Sequence, residues 1–150
     1  MHGFNKLVVS VLPYIPEKLV WIFSKRYIAG KLLENAMNVS KSFNSEGIKV
    51  TLDLLGEFQS EREKIEYYKQ QYLKTIDEAI NEKIDCSFSL KPTMFGLLID
   101  TELCFETIRE ITEKAANAGY FVRIDMEDSK CTDLEIELFR YLKKECRSPL

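Results

Sequence analysis

Asp53, Lys91 and Asp125 are the residues whose type and placement could do chemistry together. Each ends the mixed face of a short run in which apolar and other residues alternate. In the first run, Ile48 to Leu55, the residues Ile48, Val50, Leu52 and Leu54 alternate with Lys49, Thr51 and Asp53. In the second, Cys86 to Lys91, the residues Cys86, Phe88 and Leu90 alternate with Ser87, Ser89 and Lys91. In the third, Phe121 to Met126, the residues Val122, Ile124 and Met126 alternate with Phe121, Arg123 and Asp125. A period of two predicts strands. A parallel strand buried on both faces should be almost continuously apolar, so a charge at the same end of all three needs a reason. Solvated strand ends or a structural ion pair would explain any one of them. Three on matching faces favour a pocket for a small polar substrate, with Glu57 just past the first strand on its rim.

Other chemistries are poorly served. Ser87 and Ser89 have no histidine partner, because the single histidine is His2, so a Ser-His-Asp mechanism is excluded within this chain. Cys86, Cys104, Cys131 and Cys146 lack metal-ligand spacing and read as reduced thiols of a cytosolic protein. Asp125, Glu127 and Asp128 form an acidic cluster that could attract a divalent cation. Asp125 and Glu127 share a side only if the strand runs that far, so no metal is expected. Tyr67, Tyr68 and Tyr72 read as a packing face of a helix. The formal net charge is −3 and no Lys/Arg cluster offers a phosphate-binding stripe, which argues against nucleic acid. Asn38-Val39-Ser40 matches a glycosylation sequon by chance.

Helical patterns separate the strands. Pro16 suits the first turn of a helix running toward Gly30. Leu32, Ala36, Val39 and Phe43 mark the apolar face of a second, ending near Gly47. Ser60 with Glu63, and Thr132 with Glu135, have capping-box spacing. Ile65, Tyr68, Tyr72, Ile76 and Ala79 form one helical face, and Leu134, Leu138, Tyr141 and Leu142 another. Between them, a helix opening at Asp100 or Thr101 carries Cys104, Ile108, Ile111, Ala115 and Ala118, with Gly119 as its stop. The apolar run Leu7 to Leu12 is too short to span a bilayer and is followed by Pro13 and Pro16. Leu19, Trp21, Ile22, Phe23 and Tyr27 could meet a membrane surface, although helix packing explains them as well.

Hydrophobic residues make up 45% of the chain and charged residues 30%, an ordinary globular balance that allows one real core in 150 residues. Strand and helix alternate three times, which implies a parallel sheet with helical crossovers. Leu55-Gly56-Glu57 after the first strand is not a dinucleotide-binding glycine turn. The fold class expected is therefore α/β: the first three βα units of a (βα)8 barrel after N-terminal helices. Residues 1–46 form the helical segment and 47–150 the barrel portion. In such barrels the C-terminal strand ends face the active site.

Three segments carry a family resemblance: Val50-Thr-Leu-Asp-Leu-Leu-Gly-Glu57, Ser87-Phe-Ser-Leu-Lys-Pro-Thr93 and Phe121-Val-Arg-Ile-Asp-Met-Glu-Asp-Ser129. Each falls on an expected strand, and in this order the chain resembles proline dehydrogenase from about residue 30 onward. The resemblance implies a βα barrel with FAD at the C-terminal strand ends, oxidising L-proline to Δ1-pyrroline-5-carboxylate by hydride transfer. A quinone or the respiratory chain would reoxidise the flavin. It further implies Asp125 as the active-site aspartate, Lys91 as a contact to substrate and flavin, and Met126 as backbone beside the flavin. Glu57 would pair with a substrate-binding arginine. It implies a cytoplasmic protein, in peripheral contact with the inner membrane if the N-terminal helices reach it. A whole barrel takes about 250 residues, and the family's late arginine pair has no match here, so an incomplete enzyme is expected. The competing readings are a non-catalytic half-barrel that self-associates or binds a partner, and another barrel enzyme acting on a different small substrate.

Overall fold

A computed structural model of the chain describes residues 16, 28–30 and 32–146. The chain divides into two compact units, Met1–Ala36 and Met37–Leu150. The expected helix from Pro16 toward Gly30 and the cluster around Trp21 lie outside the described residues.

Helix α1, Leu33–Ser45, is followed by three βα units. They comprise β1 (Val50–Leu52) and α2 (Arg62–Asn81), then β2 (Cys86–Leu90) and α3 (Thr101–Asn117), then β3 (Phe121–Ile124) and α4 (Thr132–Glu145). A short 3-10 helix, Pro92–Phe95, follows β2. The strands form one parallel sheet in the order β1-β2-β3, as alternation of strand and helix requires. Val50 lies opposite Cys86, and Phe88 opposite Val122.

The core combines the alternating strand face with the helical stripes. Leu52, Cys86, Phe88, Leu90 and Val122 are buried, as are Tyr72, Ile76 and Ala79 of α2. Cys104, Ile108, Ile111 and Ala115 of α3 and Leu138 and Leu142 of α4 complete it. Helix α3 packs against α2, α4 and β3. All four cysteines are free and buried, and burial pushes the Cys86 thiol up to about 11.

The structure corrects several expectations. The strands are shorter than their alternating patterns. The β1 backbone leaves the sheet early, because the Leu54 amide donates to the Tyr72 hydroxyl at 3.2 Å. Pro92 starts the 3-10 helix straight after Lys91. The Glu127 amide donates to the Glu135 carboxylate at 3.1 Å, which draws the chain away from β3. Neither expected capping box forms. Helix α2 starts at Arg62 behind Glu61, and Glu61 accepts from Lys64 Nζ at 2.7 Å. Helix α4 starts behind Cys131, and Glu135 serves the Glu127 amide instead of its own helix start. On α1 the expected apolar face is largely exposed, with Leu32, Val39 and Phe43 in solvent contact, while Met37 and Ser40 are buried. The start of α3 is as expected: Asp100 accepts from the Leu103 amide at 3.1 Å.

Candidate active site

The three charged residues expected at the strand ends all sit just beyond their strands, at the C-terminal end of the sheet. Lys91 leaves the central strand and donates to Asp53 Oδ2 at 2.6 Å. Its side chain is only 15% exposed, against 34% for Asp53, so the pair is partly withdrawn from water and weakly screened. Asp125 continues the ladder for one more bond, its amide donating to the Leu90 carbonyl at 2.9 Å. Its Oδ1 accepts from Ser89 Oγ at 2.6 Å and from Arg123 Nε at 2.8 Å. Arg123 Nη2 also donates to Ser89 Oγ at 3.1 Å. Alternation thus puts Ser89, Arg123 and Asp125 on one side, and two donors fix the carboxylate.

An open depression of about 480 Å³ lies at this end. Glu57 and Phe58 line it from the loop after β1, Lys91 from β2, and the segment Asp125 to Asp128 from the loop after β3. All four expected site residues, Glu57, Lys91, Asp125 and Met126, therefore border one space. Asp53 belongs to it through Lys91. Among the described residues the lining holds a single cation, Lys91, within an acidic rim. Met126 is 58% exposed and Phe58 53%, which gives the rim apolar surface as well.

Sequence reasoning missed the residues that tie the rim together. Thr93 Oγ1 donates to Glu127 Oε1 at 2.6 Å, and the Thr93 amide donates to Glu127 Oε2 at 2.8 Å. The Phe58 amide donates to Thr93 Oγ1 at 3.1 Å and the Gln59 amide to the Thr93 carbonyl at 3.0 Å. The Glu127 carboxylate is thereby engaged by Thr93 and does not join Asp125 and Asp128 around a cation. Among the described residues no cluster of three acidic, His or Cys side chains is arranged to hold a metal ion. Tyr72, read from sequence as packing, does more: its buried hydroxyl donates to the Ser89 carbonyl at 2.7 Å and accepts from Leu54. Burial raises its pKa well above the usual phenol range. A threonine after a strand-ending Lys-Pro, with a glutamate two residues past Asp125, was the available signal for the tie. Only the fold shows that they meet.

The donor set fits part of a flavin. The Lys91 ammonium is suited to the electron-rich edge of an isoalloxazine ring, and Phe58 and Met126 give it apolar contact. Among the described residues the lining offers no second cation for a pyrophosphate. Among the described residues no helix is long and apolar enough to cross a membrane.

The profile of the proline dehydrogenase family matches residues 36–148. The chain is similar to "Proline dehydrogenase" of Deinococcus radiodurans, 32% identical over 147 residues, covering 93% of this chain and 47% of that protein. It is 31% identical over 132 residues to "Proline dehydrogenase 2" of Bacillus subtilis strain 168, covering 85% of this chain and 44% of the relative. "Proline dehydrogenase 1" of Bacillus subtilis subsp. natto is 30% identical over 122 residues, covering 81% and 40%. The chain thus spans less than half the length of these curated relatives. Among solved structures, it superposes with a TM-score of 0.75 on proline utilization A from Bdellovibrio bacteriovorus inactivated by N-propargylglycine. That likeness has 20% identity and covers 81% of this chain and 15% of the other, so it speaks for the fold. A profile match over most of the chain, with relatives sharing about a third of its residues, decides the family: this chain belongs to the proline dehydrogenases.

Proposed function

We propose that this chain supplies the first three βα units of a barrel that oxidises L-proline to Δ1-pyrroline-5-carboxylate, with FAD as the hydride acceptor. Residues 47–150, after helix α1, form the barrel portion of what is then an incomplete enzyme. The observation that carries this reading is Lys91: a largely buried cation leaving the central strand, paired with Asp53 and facing the same depression as Asp125. Membership of the family supplies the substrate.

FAD, when bound, would supply the acceptor for a hydride from the proline ring carbon next to nitrogen. The chain's own residues do the rest. Lys91 attracts the substrate carboxylate and would set a positive charge beside a bound flavin. Hydride loss from an amine requires a neutral nitrogen, and Asp125 accepts or orients the proton that must leave it. Ser89 and Arg123 hold Asp125 Oδ1 for that task. Met126 would bring backbone against a bound flavin, and Glu57 on the rim would pair with a substrate-binding arginine. In this reading a quinone or the respiratory chain collects the electrons, and the protein is cytoplasmic with peripheral contact at the inner membrane.

The test is a visible absorption scan of the purified chain after incubation with FAD and desalting, repeated anaerobically with L-proline. A colourless protein is the expected result for three βα units alone, and it would leave turnover to a more complete barrel. A retained flavin band that bleaches with proline would show that these residues assemble a working site and would overturn the reading of an incomplete enzyme.

A second reading, a non-catalytic half-barrel that self-associates, is favoured by one set of observations. Val39 and Phe43 of α1 and Phe121 of β3 are exposed, and among the described residues β1 and β3 each pair on one side only. Unpaired edges and exposed apolar side chains drive association. Sedimentation that shifts with concentration, in a protein that takes up no flavin, would favour it.

A further inference from the structure

Phe58 has φ of +50°, a left-handed conformation that a bulky aromatic residue adopts only when its surroundings impose it. Phe58 is 53% exposed, so packing alone does not impose it. Hydrogen bonds do: its amide is held by Thr93 Oγ1 and the next amide by the Thr93 carbonyl. Thr93 is itself 2% exposed and gripped from the far side by both oxygens of Glu127. Glu127 is anchored in turn, its amide donating to Glu135. One hydroxyl therefore joins the loop after β1 to the loop after β3, across the start of the 3-10 helix that follows Lys91.

We infer that Thr93 and Glu127 form a clamp that makes the three rim loops one cooperative unit, and that both are positioning residues for the site. The clamp holds Glu57 and Phe58 on one side and Asp125 and Met126 on the other, with Lys91 between them. A carboxylate suits this task because it accepts two bonds at once, from an amide and a hydroxyl of the same residue. Glu127 also caps the buried Thr93 amide in the first turn of the 3-10 helix, where a negative charge is favoured. The inference rests on the proline-oxidising reading for what is being positioned. The clamp itself can be tested without flavin or turnover.

The test uses the full chain with Thr93→Val, Thr93→Ser and Glu127→Gln, followed by amide hydrogen exchange and the Met126 methyl resonance. Valine keeps the shape and deletes the hydroxyl; serine restores it. Thr93→Val should speed exchange at the Phe58 and Gln59 amides about tenfold, as loss of one bond of ordinary net strength implies. It should also shift the Met126 methyl, although Met126 lies on the opposite loop. Thr93→Ser should leave both readouts near wild type. Glu127→Gln should speed exchange at Phe58 and Gln59 without altering the amides of β2. Faster exchange at Phe58 with an unmoved Met126 methyl, or an unchanged Phe58 in Glu127→Gln, would show that the loops act independently and would overturn the clamp. A failed absorption scan would bear on proline oxidation alone.

Discussion

At the N-terminal end of the sheet, helices turn into strands by closing backbone on backbone. After α1 the Gly47 amide donates to the Asn44 carbonyl and Ile48 to Phe43; after α3 Gly119 donates to Ala116 and Tyr120 to Ala115. Asn44 braces this end, its side chain bonding the Ile48 carbonyl and both the amide and the carbonyl of Asp85. At the C-terminal end side chains close much of the backbone, two of them carboxyl groups. Glu127 takes the Thr93 amide, Glu135 takes the Glu127 amide, and Tyr72 takes the Leu54 amide. One end spends its polar groups on holding the fold; the other keeps charges at partly buried positions where they act on whatever enters. In βα barrels it is the C-terminal strand ends that carry the chemistry.

Lys91→Met gives the largest separation between the two ends. It removes the one cation that the described residues bring to the depression, so any proline-dependent bleaching of bound flavin should be lost entirely. Stability should fall by no more than about 1 kcal/mol, since Asp53 is exposed enough to rehydrate. Urea unfolding beside the absorption scan reads both, and a large loss of stability would make Lys91 structural. Asn44→Ala is the mirror experiment. It deletes three hydrogen bonds at the opposite end and should cost about 2 kcal/mol, with flavin binding unaltered. An equal loss of flavin affinity would show that the two ends are not separable.

This contrast also decides what could be read in the sequence. The parallel three-stranded order was legible, because alternation in Cys86, Phe88 and Leu90 and helical spacing in Cys104, Ile108, Ile111 and Ala115 are local signals of burial. Glu57, Lys91, Asp125 and Met126 border one depression because matching strand ends must be neighbours in a parallel sheet. The strand lengths were not legible, since Tyr72 and Glu135 compete for strand amides from distant positions. Nor were Thr93 and Glu127, whose partner lies 34 residues away. Glu135 looked like a capping-box residue by spacing. Its buried position, 1% exposed, turned it toward the Glu127 amide.

Glu135 also gives a pH signature to the rim. Burial raises its carboxyl above the ordinary value of 4.5, and the nearby Glu127 charge adds to this, while the bond from the Glu127 amide opposes it. The folded state therefore keeps this proton to higher pH than the unfolded chain does. The stability so gained is complete below about pH 4.5 and is lost as pH rises through the raised value. Glu135→Gln keeps an acceptor for the Glu127 amide and removes the titration. Its stability relative to wild type should rise from acid toward neutral pH in paired urea titrations. Parallel curves would mean that Glu135 ionises as readily folded as unfolded.

The smallest effect comes from the third turn at the quiet end. After α2 the chain makes the same closure as after α1 and α3, with Lys83 donating to the Ile80 carbonyl and Ile84 to Ala79. Here the left-handed position holds a lysine at φ +54°, where the other two turns have Gly47 at +77° and Gly119 at +81°. A side chain at that position is strained, and glycine removes the strain at the cost of extra freedom in the unfolded chain. Lys83→Gly should therefore stabilise the protein, by about 0.5 kcal/mol. Phe58 at φ +50° is the matching residue at the rim, and there the strain is held by the Thr93 contacts. If relief at Lys83 raises the urea midpoint and leaves amide exchange at Phe58 unchanged, the two strained positions are independent. The one at the fold-holding end is then a replaceable turn residue, and the one at the rim belongs to the clamp.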